Sequence, residues 1–372
     1  MTGATLGSAI ATVLAGWDGE PLLERDVFGT TDPERIATLV DRFCGQRLGA
    51  RVAGYEFFAT SAGSVHGVRL RDRRRVVVKA YRREIDLVHL AAVQRVQARL
   101  ADGGFPAPRP VLAPVQLAHG IAIVETLLDR GDWVNAHDPA GRRAVAAGLA
   151  RLVERTRPLV GLPGLVSWRE SYDRLWRRPH DRRFDFPGTA RGAEWIDRLA
   201  AEARRSLDEH VADNAVIGHG DWRVEHLRFA DGALSAVYDW DSVAVGPEPV
   251  FAGAAAHAFT ADWSIEEHRC IPTIGESLAF LADYEAARGA PFTDGEHRAA
   301  LSGLVAAMAY SARCEHSDRL TALGTRPPAP PAAPIPVDGC LGILSHHGER
   351  LLSRYDDLRA TEQRLIACWQ RG

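Results

Sequence analysis

The spacing of apolar residues changes near residue 128. Before this point, short runs with alternating side chains are typical of β-strands, whereas after it most apolar residues recur at intervals typical of helices. The predicted strands are Gly54–Thr60, Ser64–Leu70, Arg75–Tyr81, Pro110–Gln116 and Ile121–Leu127. Short polar turns between consecutive strands predict antiparallel pairing. We therefore expect an α+β protein with a small antiparallel sheet followed by a larger, mainly helical part.

Predicted helices flank the sheet and fill the second part of the chain. They cover residues 32–43, 84–100, 138–155, 194–211, 249–263, 266–288 and 296–311. The helical part is interrupted at 215–238, where short strands surround an Asp231-Gly232 turn. A proline-rich run at 326–336 predicts a stiff connection to a last helix at 341–369. These patterns divide the chain into segments 1–127, 128–325 and 326–372.

The interrupting strands carry the densest set of chemically active side chains. His219-Gly220-Asp221 is followed by His226, and Asp239-Trp240-Asp241 comes after the turn. Oxygen ligands on turns can hold a metal triphosphate and position a hydroxyl, because phosphoryl transfer depends on positioning and charge neutralisation. Turn capping is the alternative role for the same acids.

This order of residues resembles the aminoglycoside phosphotransferase and choline kinase family, which has a bilobal protein-kinase-like fold. The resemblance covers about residues 54–263 and is most specific at 218–249. It implies a small-molecule kinase that uses ATP or GTP with Mg²⁺ or Mn²⁺. Residues 1–127 would form the nucleotide-binding lobe, and residues 128–325 would contain the catalytic loop and the acceptor site.

The resemblance also assigns roles within the motif. Asp221 matches the catalytic carboxylate, Asp239 matches a metal ligand, and Asp241 matches an assisting ligand or a helix cap. His226 departs from the usual asparagine, which coordinates metal through its amide oxygen. The macrolide kinases of the family look similar in having histidine here, and a neutral imidazole can bind metal. We expect His226 to be a ligand; simple packing is the alternative.

Lys79 is the only lysine in a chain with 45 basic residues. Because the chain otherwise uses arginine, Lys79 indicates a site that needs a compact ammonium group. It resembles the family lysine that holds the α- and β-phosphates. The usual partner of that lysine is a glutamate inside the following helix, but His89, Gln94 and Gln97 occupy the interior positions here. Glu84 is the nearest candidate partner.

Two further segments are predicted to contact the nucleotide. The turn at Ser61, Gly63 and Ser64 falls where the family covers the phosphates with backbone N–H groups. Glu125 and Leu127 resemble the hinge whose main chain reads the base, although any edge strand that enters a linker would look alike.

The composition of the chain limits the classes of partner that it is expected to bind. The net charge of −3 and the pI near 6.5 give no positive field for nucleic acid. No apolar run is long enough to span a bilayer, and the first residues lack a basic segment, so we expect a cytoplasmic enzyme without a membrane partner. Five dispersed cysteines indicate neither a zinc site nor a disulfide framework. The oligomeric state stays open.

The acceptor is less constrained. Residues 248–319 contain 11 Asp or Glu against 5 Arg, which would suit a cationic acceptor, although solvated helix faces give the same excess. One hypothesis is an antibiotic-modifying O-phosphotransferase that acts on an aminoglycoside or macrolide. The alternatives are a metabolic kinase for an amino alcohol or sugar, and a nucleotide-binding pseudokinase suggested by His226 and the missing helix glutamate.

Overall fold

The structure, a computed structural model, describes residues 5–16, 20–169, 175–176, 179, 184–210, 215–263, 270–323 and 339–353. The chain divides into a first compact unit that ends at Asp129 and a second that begins at Arg130. The predicted proline-rich run at 326–336 and the part of the last predicted helix after Ser353 lie outside the described residues.

The first unit contains the predicted antiparallel sheet, which confirms the expected fold class. Its strands are β1 (Val52–Thr60), β2 (Ser64–Leu70), β3 (Arg75–Tyr81), β4 (Pro110–Leu117) and β5 (Gly120–Thr126). They lie in the order β1-β2-β3-β5-β4, so β5 is hydrogen-bonded to both β3 and β4. The register pairs Lys79 with Ile123 and Val77 with Glu125. Paired residues share a face, so these four side chains lie on one side of the sheet.

The two faces of this sheet pack against different helices. Four helices belong to the unit: α1 (Leu6–Ala15), α2 (Leu22–Phe28), α3 (Pro33–Leu48) and α4 (Leu87–Asp102). Val78 and Val124 belong to the core formed with α1, α2 and α3. On the opposite face, Tyr81 and Ile123 pack against Leu90 of α4. The alternation of side chains along β3 therefore directs Lys79 to the α4 side.

The second unit is mainly helical. Its helices are α5 (Pro139–Thr156), α6 (Glu194–His210), α7 (Glu248–Ala258), α8 (Ile274–Arg288), α9 (Asp294–Leu323) and α10 (Cys340–Ser353). Its strands are β6 (Ala215–His219), β7 (Leu227–Ala230), β8 (Ala233–Val237) and β9 (Val243–Pro247), arranged as two antiparallel pairs, β6 with β9 and β7 with β8. The predicted strands at 215–238 are thus β6, β7 and β8. None of the described helices has the length and apolar character needed to cross a membrane.

A buried carboxylate fixes the junction between β9 and α7. Glu248 is the first residue of α7, and only 5% of it is exposed. Its Oε1 accepts a hydrogen bond from the Tyr284 hydroxyl at 2.8 Å and lies 3.0 Å from Nε of Arg288. Arg157 contacts the other carboxylate oxygen. Because every partner comes from another element, this cluster ties α7 to α8 and to the segment after α5.

Candidate active site

The site begins at the end of β6 with a buried, neutral histidine. The N–H of Asp221 donates to Nδ1 of His219 at 3.2 Å, so the proton of the neutral ring is on Nε2. Nε2 in turn donates to the carbonyl of Tyr238 at 3.1 Å. Burial lowers the pKa of His219 to about 4, since the charged ring would lose its hydration. His219 therefore connects the Asp221 loop to the residue before Asp239.

Two neighbours hold the loop itself. The Gly220 amide donates to the carbonyl of Ser242 at 3.1 Å, and a Cβ at Gly220 would lie only 2.9 Å from that oxygen. Any larger residue would force the backbones apart. The buried Trp222 donates its indole N–H to the carbonyl of Val145 in α5 at 2.9 Å. These contacts explain why the loop has one defined position.

Three predicted residues come together at this loop. Asp221, His226 and Asp239 each offer one ligand atom, and these atoms all lie within 4.8 Å of one another. Nε2 of His226 is 3.1 Å from Oδ2 of Asp221 and 3.6 Å from Oδ2 of Asp239. Asp239 has a φ of 55°, in the left-handed region that aspartate enters more readily than most residues. Its position directly after the Tyr238 carbonyl bound by His219 keeps it beside the loop.

Arg223 also belongs to the site, and the sequence analysis did not identify it. Its guanidinium lies 3.3 Å from Asp221 Oδ2 and 3.2 Å from Glu225 Oε2, and its Nε–H donates to Nε2 of His226 at 3.0 Å. One ring nitrogen cannot accept from Arg223 and donate to Asp221 at once. Nε2 of the neutral His226 ring therefore has a lone pair, which accepts from Arg223. In the protonated ring Nε2 carries a hydrogen, which is donated to Asp221.

The charges of the cluster shift its pKa values in opposite directions. Desolvation opposes ionisation of Asp221, but the charge of Arg223 and the hydrogen bond and charge of His226 outweigh it, so the pKa of Asp221 is well below its ordinary value. Desolvation also opposes protonation of His226, but the hydrogen bond to Asp221 and the nearby carboxylates raise its pKa above 6.5. Asp221 is therefore ionised at neutral pH.

The donor set fits a divalent metal. Two carboxylate oxygens and an imidazole nitrogen converge, and no other group of this kind occurs among the described residues. Carboxylate oxygens suit Mg²⁺ and Mn²⁺, and the imidazole favours the softer Mn²⁺. Asp241, which the sequence offered as an assisting ligand or a helix cap, is not a member of this group of three. It lies two residues beyond Asp239 in a short 3₁₀ turn.

In the first unit, Lys79 is buried and paired with a glutamate. Its Nζ lies 3.2 Å from Oε1 of Glu125 on the neighbouring strand β5. This corrects the sequence candidate Glu84, which is exposed in the turn between β3 and α4. Alternation along a strand decides the outcome, because it places Lys79 and Glu125 on one face of the sheet.

The predicted phosphate-covering turn lies between β1 and β2. The Ser61 amide donates to the carbonyl of Gly63 at 3.1 Å, so it already has a partner. Ser64 pairs with Ala80, which places its hydroxyl on the face opposite Lys79, 3.1 Å from Nε2 of the buried His66. The Ser64 hydroxyl therefore lies on the face of the sheet away from Lys79, and contact of phosphates with backbone N–H groups of the turn stays a prediction.

The backbone amides of the predicted hinge are hydrogen-bonded within the sheet. The Leu127 amide donates to the carbonyl of Arg75 at 3.1 Å. Hydrogen-bonded pairs alternate along an antiparallel ladder, so the Val77–Glu125 pair is also hydrogen-bonded. The amides of Glu125 and Leu127 thus already have partners in the sheet, the Glu125 side chain pairs with Lys79, and reading of a base by the main-chain carbonyls stays a prediction.

At least four of the eleven acidic residues between 248 and 319 have side-chain partners inside the second unit. Asp283 lies 2.7 Å from Arg142, Glu276 lies 2.8 Å from His137, and Glu285 lies 3.1 Å from His297. Glu248 has the partners described above. These four carboxylates are engaged in structural contacts, and a cationic acceptor stays a prediction.

Comparisons with known proteins find a family match and solved structures of similar fold. Residues 64–248 match the sequence profile described as the phosphotransferase enzyme family. Amicoumacin kinase hAmiN, in complex with AMP-PNP, Ca²⁺ and Ami, has a similar fold, with a TM-score of 0.56 and 13% identity over 86% of this chain and 96% of that one. A thermostable mutant of aminoglycoside phosphotransferase APH(4)-Ia, in complex with ADP and hygromycin B, gives a TM-score of 0.50 and 10% identity over 77% and 99%. A comparison with curated proteins gives no significant match.

Proposed function

The chain belongs to the phosphotransferase enzyme family, and from this premise we propose that it transfers the γ-phosphoryl group of ATP, or of GTP, to a hydroxyl of a small, antibiotic-like molecule. The observation that carries the proposal is the grouping of Asp221, His226 and Asp239 within 4.8 Å on a loop held by His219. An enzyme of this class needs a positioned carboxylate beside a metal site, and the cluster supplies both.

Asp221 would orient the acceptor hydroxyl. As the new O–P bond forms and the bond from the bridging oxygen to the γ-phosphorus breaks, the hydroxyl proton passes to the Asp221 carboxylate and the nucleoside diphosphate leaves. The low pKa of Asp221 makes it a weak base, so its main contribution is to align the hydroxyl, with proton transfer late in the reaction. His219, neutral and buried, keeps the Asp221 backbone in position.

His226 and Asp239 would hold the metal that accompanies the nucleotide, with Asp221 beside them. When bound, Mg²⁺ or Mn²⁺ neutralises charge on the phosphates. Arg223 spans Asp221 and Glu225, so the cluster keeps a fixed positive charge beside its carboxylates. We also propose that the ammonium of Lys79 binds the α- and β-phosphates, a task that suits a compact charge on a buried strand.

The acceptor is the less constrained part of the proposal. The two proteins of similar fold described above are named for, or bound to, amicoumacin and hygromycin B, and these names support an antibiotic-like hydroxyl compound. A cationic acceptor stays a prediction. An antibiotic-resistance role follows if the acceptor is such a compound.

A coupled nucleotide-turnover assay tests the proposal. The purified protein would be assayed with ATP and GTP, in Mg²⁺ and in Mn²⁺, against amicoumacin-like compounds, aminoglycosides, macrolides, amino alcohols and sugars. We expect acceptor-dependent turnover with at least one antibiotic, and a phosphorylated product with the mass of one added phosphoryl group. Turnover confined to amino alcohols or sugars would contradict the acceptor class. Nucleotide binding without turnover under any condition would contradict the reaction.

A further inference from the structure

The partner of Lys79 comes from a strand. Lys79 is opposite Ile123 in the β3–β5 ladder, and Glu125 lies two residues further along β5 on the same face. A diagonal pair of this kind is within reach of long side chains. The Nζ–Oε1 distance is 3.2 Å, and 5% of Lys79 and 3% of Glu125 are exposed. The two side chains form a buried ion pair within one sheet.

Helix α4 contributes an amide to this pair. Gln97 is 1% exposed, and its Nε2 donates to the other carboxylate oxygen of Glu125 at 2.9 Å. Glu125 is therefore held through both oxygens, by Lys79 on one side and Gln97 on the other. Gln94, one turn earlier on α4, is also buried but donates to the carbonyl of Leu112 in β4. The two glutamines thus provide a matched pair of positions, only one of which faces Glu125.

We propose that Glu125 is the positioning residue for Lys79, and that Gln97 orients Glu125 from α4. This inference rests on the proposed function, because it assigns to Lys79 the task of binding the nucleotide phosphates. The carboxylate that positions the Lys79 ammonium comes from β5. Helix α4 supplies a neutral donor, Gln97, to the other oxygen of that carboxylate.

The arrangement has physical consequences. Removing one partner of a buried ion pair leaves an uncompensated charge, which costs more than the pair itself contributes. An ammonium without its carboxylate would turn towards other acceptors or water, and the phosphates would lose a preset contact. Since Lys79 and Glu125 lie on neighbouring strands, the pair depends on sheet register more than on the orientation of α4. Loss of Gln97 should therefore be milder than loss of Glu125.

The test moves the carboxylate between the strand and the helix. Four variants would be compared with the wild type: Glu125→Gln, Gln97→Ala, the double variant Gln97→Glu/Glu125→Gln, and the control double variant Gln94→Glu/Glu125→Gln. The dissociation constant of Mg²⁺·ATP would be measured by calorimetry without acceptor, together with thermal unfolding and turnover. A direct binding measurement is informative even if no acceptor is found.

We expect Glu125→Gln to weaken nucleotide binding by about tenfold or more, and Gln97→Ala to weaken it less. The Gln97→Glu/Glu125→Gln variant should recover part of the lost affinity, because a carboxylate returns to the group around Lys79, on the far side of residue 125, with the hydrogen bond to residue 125 reversed. The Gln94→Glu/Glu125→Gln variant should not recover it.

Wild-type nucleotide affinity in Glu125→Gln would overturn the inference. If Glu125→Gln does not fold, the nucleotide affinities of the two double variants decide. The inference is also overturned if Gln97→Glu/Glu125→Gln binds nucleotide no better than the Gln94→Glu/Glu125→Gln control. A wild-type protein that binds nucleotide but phosphorylates no acceptor would refute the proposed function. The nucleotide affinities of the variants could still be compared with that of the wild type. Wild-type turnover with an unaffected Glu125→Gln variant would refute only the role of Glu125.

Discussion

Replacing His226 by asparagine should remove most of the pH dependence of metal binding. The lone pair of the neutral ring is at Nε2, where it can accept from Arg223 Nε–H or bind a metal, and this atom lies 3.1 Å from Asp221 Oδ2 and 3.6 Å from Asp239 Oδ2. The protonated ring would use the same nitrogen to donate to Asp221, and a metal could not bind there. Protons and metal therefore compete for one atom.

The size of the effect follows from this competition. Desolvation opposes protonation of His226, but the contacts with Asp221 and Asp239 outweigh it and raise the pKa of the ring, so His226 is protonated at a higher pH than an ordinary histidine. Below that pKa, each pH unit should lower apparent metal affinity by about tenfold, or about 1.4 kcal/mol. An asparagine amide does not titrate, and the pKa of Asp221 is well below this range. The variant should therefore show a nearly flat profile.

Calorimetric titration of Mn²⁺ in the presence of a non-hydrolysable ATP analogue would measure this between about pH 5 and pH 7.5. The wild type should lose affinity with a slope approaching one log unit per pH unit, and His226→Asn should not. The control His346→Asn replaces an exposed histidine of α10 and should keep the wild-type slope. Equal slopes in His226→Asn and the wild type would refute ligation by His226.

Two further predictions concern the support of the site. Burial raises the pKa of Glu276, but hydrogen bonds from His137 and from Thr273, the N-cap residue of α8, lower it more, to about 2. The stabilising effect of Glu276 is therefore present above pH 4.5 and is lost as the pH falls towards 2. In Glu276→Gln, the change in unfolding free energy across that pH window should be smaller by about 3 kcal/mol at most, as measured by urea denaturation. An unchanged pH profile would contradict the stabilising role of the Glu276 carboxylate. Gly220→Ala should lower turnover by about tenfold or more, because its Cβ would meet the Ser242 carbonyl at 2.9 Å. Gly275→Ala, whose Cβ meets nothing closer than 4.0 Å, should keep wild-type turnover, and equal effects of the two substitutions would refute the steric argument.

The strands and the main site residues could be predicted from the sequence because their signals are local. Alternating apolar residues give the strands, and the order of Asp221, His226 and Asp239 around a turn gives the cluster. The helix Leu6–Ala15 was not predicted, and Leu22–Phe28 has only seven residues, too few for a clear helical period. The pairing of β9 with β6 was also missed, because it joins residues on either side of the β7–β8 hairpin.

The partner of Lys79 could not be found from spacing. Glu125 becomes a neighbour of Lys79 only because β5 is inserted between β3 and β4, and this order is a property of the whole sheet. Arg223 was missed for a related reason, since one arginine among many has no distinguishing pattern in the sequence. The charge count over residues 248–319 could not reveal pairing either, because it included Asp283 and Glu276, whose partners Arg142 and His137 lie far away in the chain.

The most direct test of the account is the turnover of Asp221→Asn. This variant keeps the shape of the side chain and removes its charge, and Asp231→Asn makes the same change in the exposed turn between β7 and β8. With the acceptor that the panel identifies, kcat would be measured by product mass spectrometry, and nucleotide affinity by calorimetry. We predict that Asp221→Asn loses about a thousandfold or more in kcat while nucleotide affinity changes by less than about threefold, and that Asp231→Asn matches the wild type. Near wild-type turnover by Asp221→Asn would contradict the assignment of Asp221 as the catalytic carboxylate.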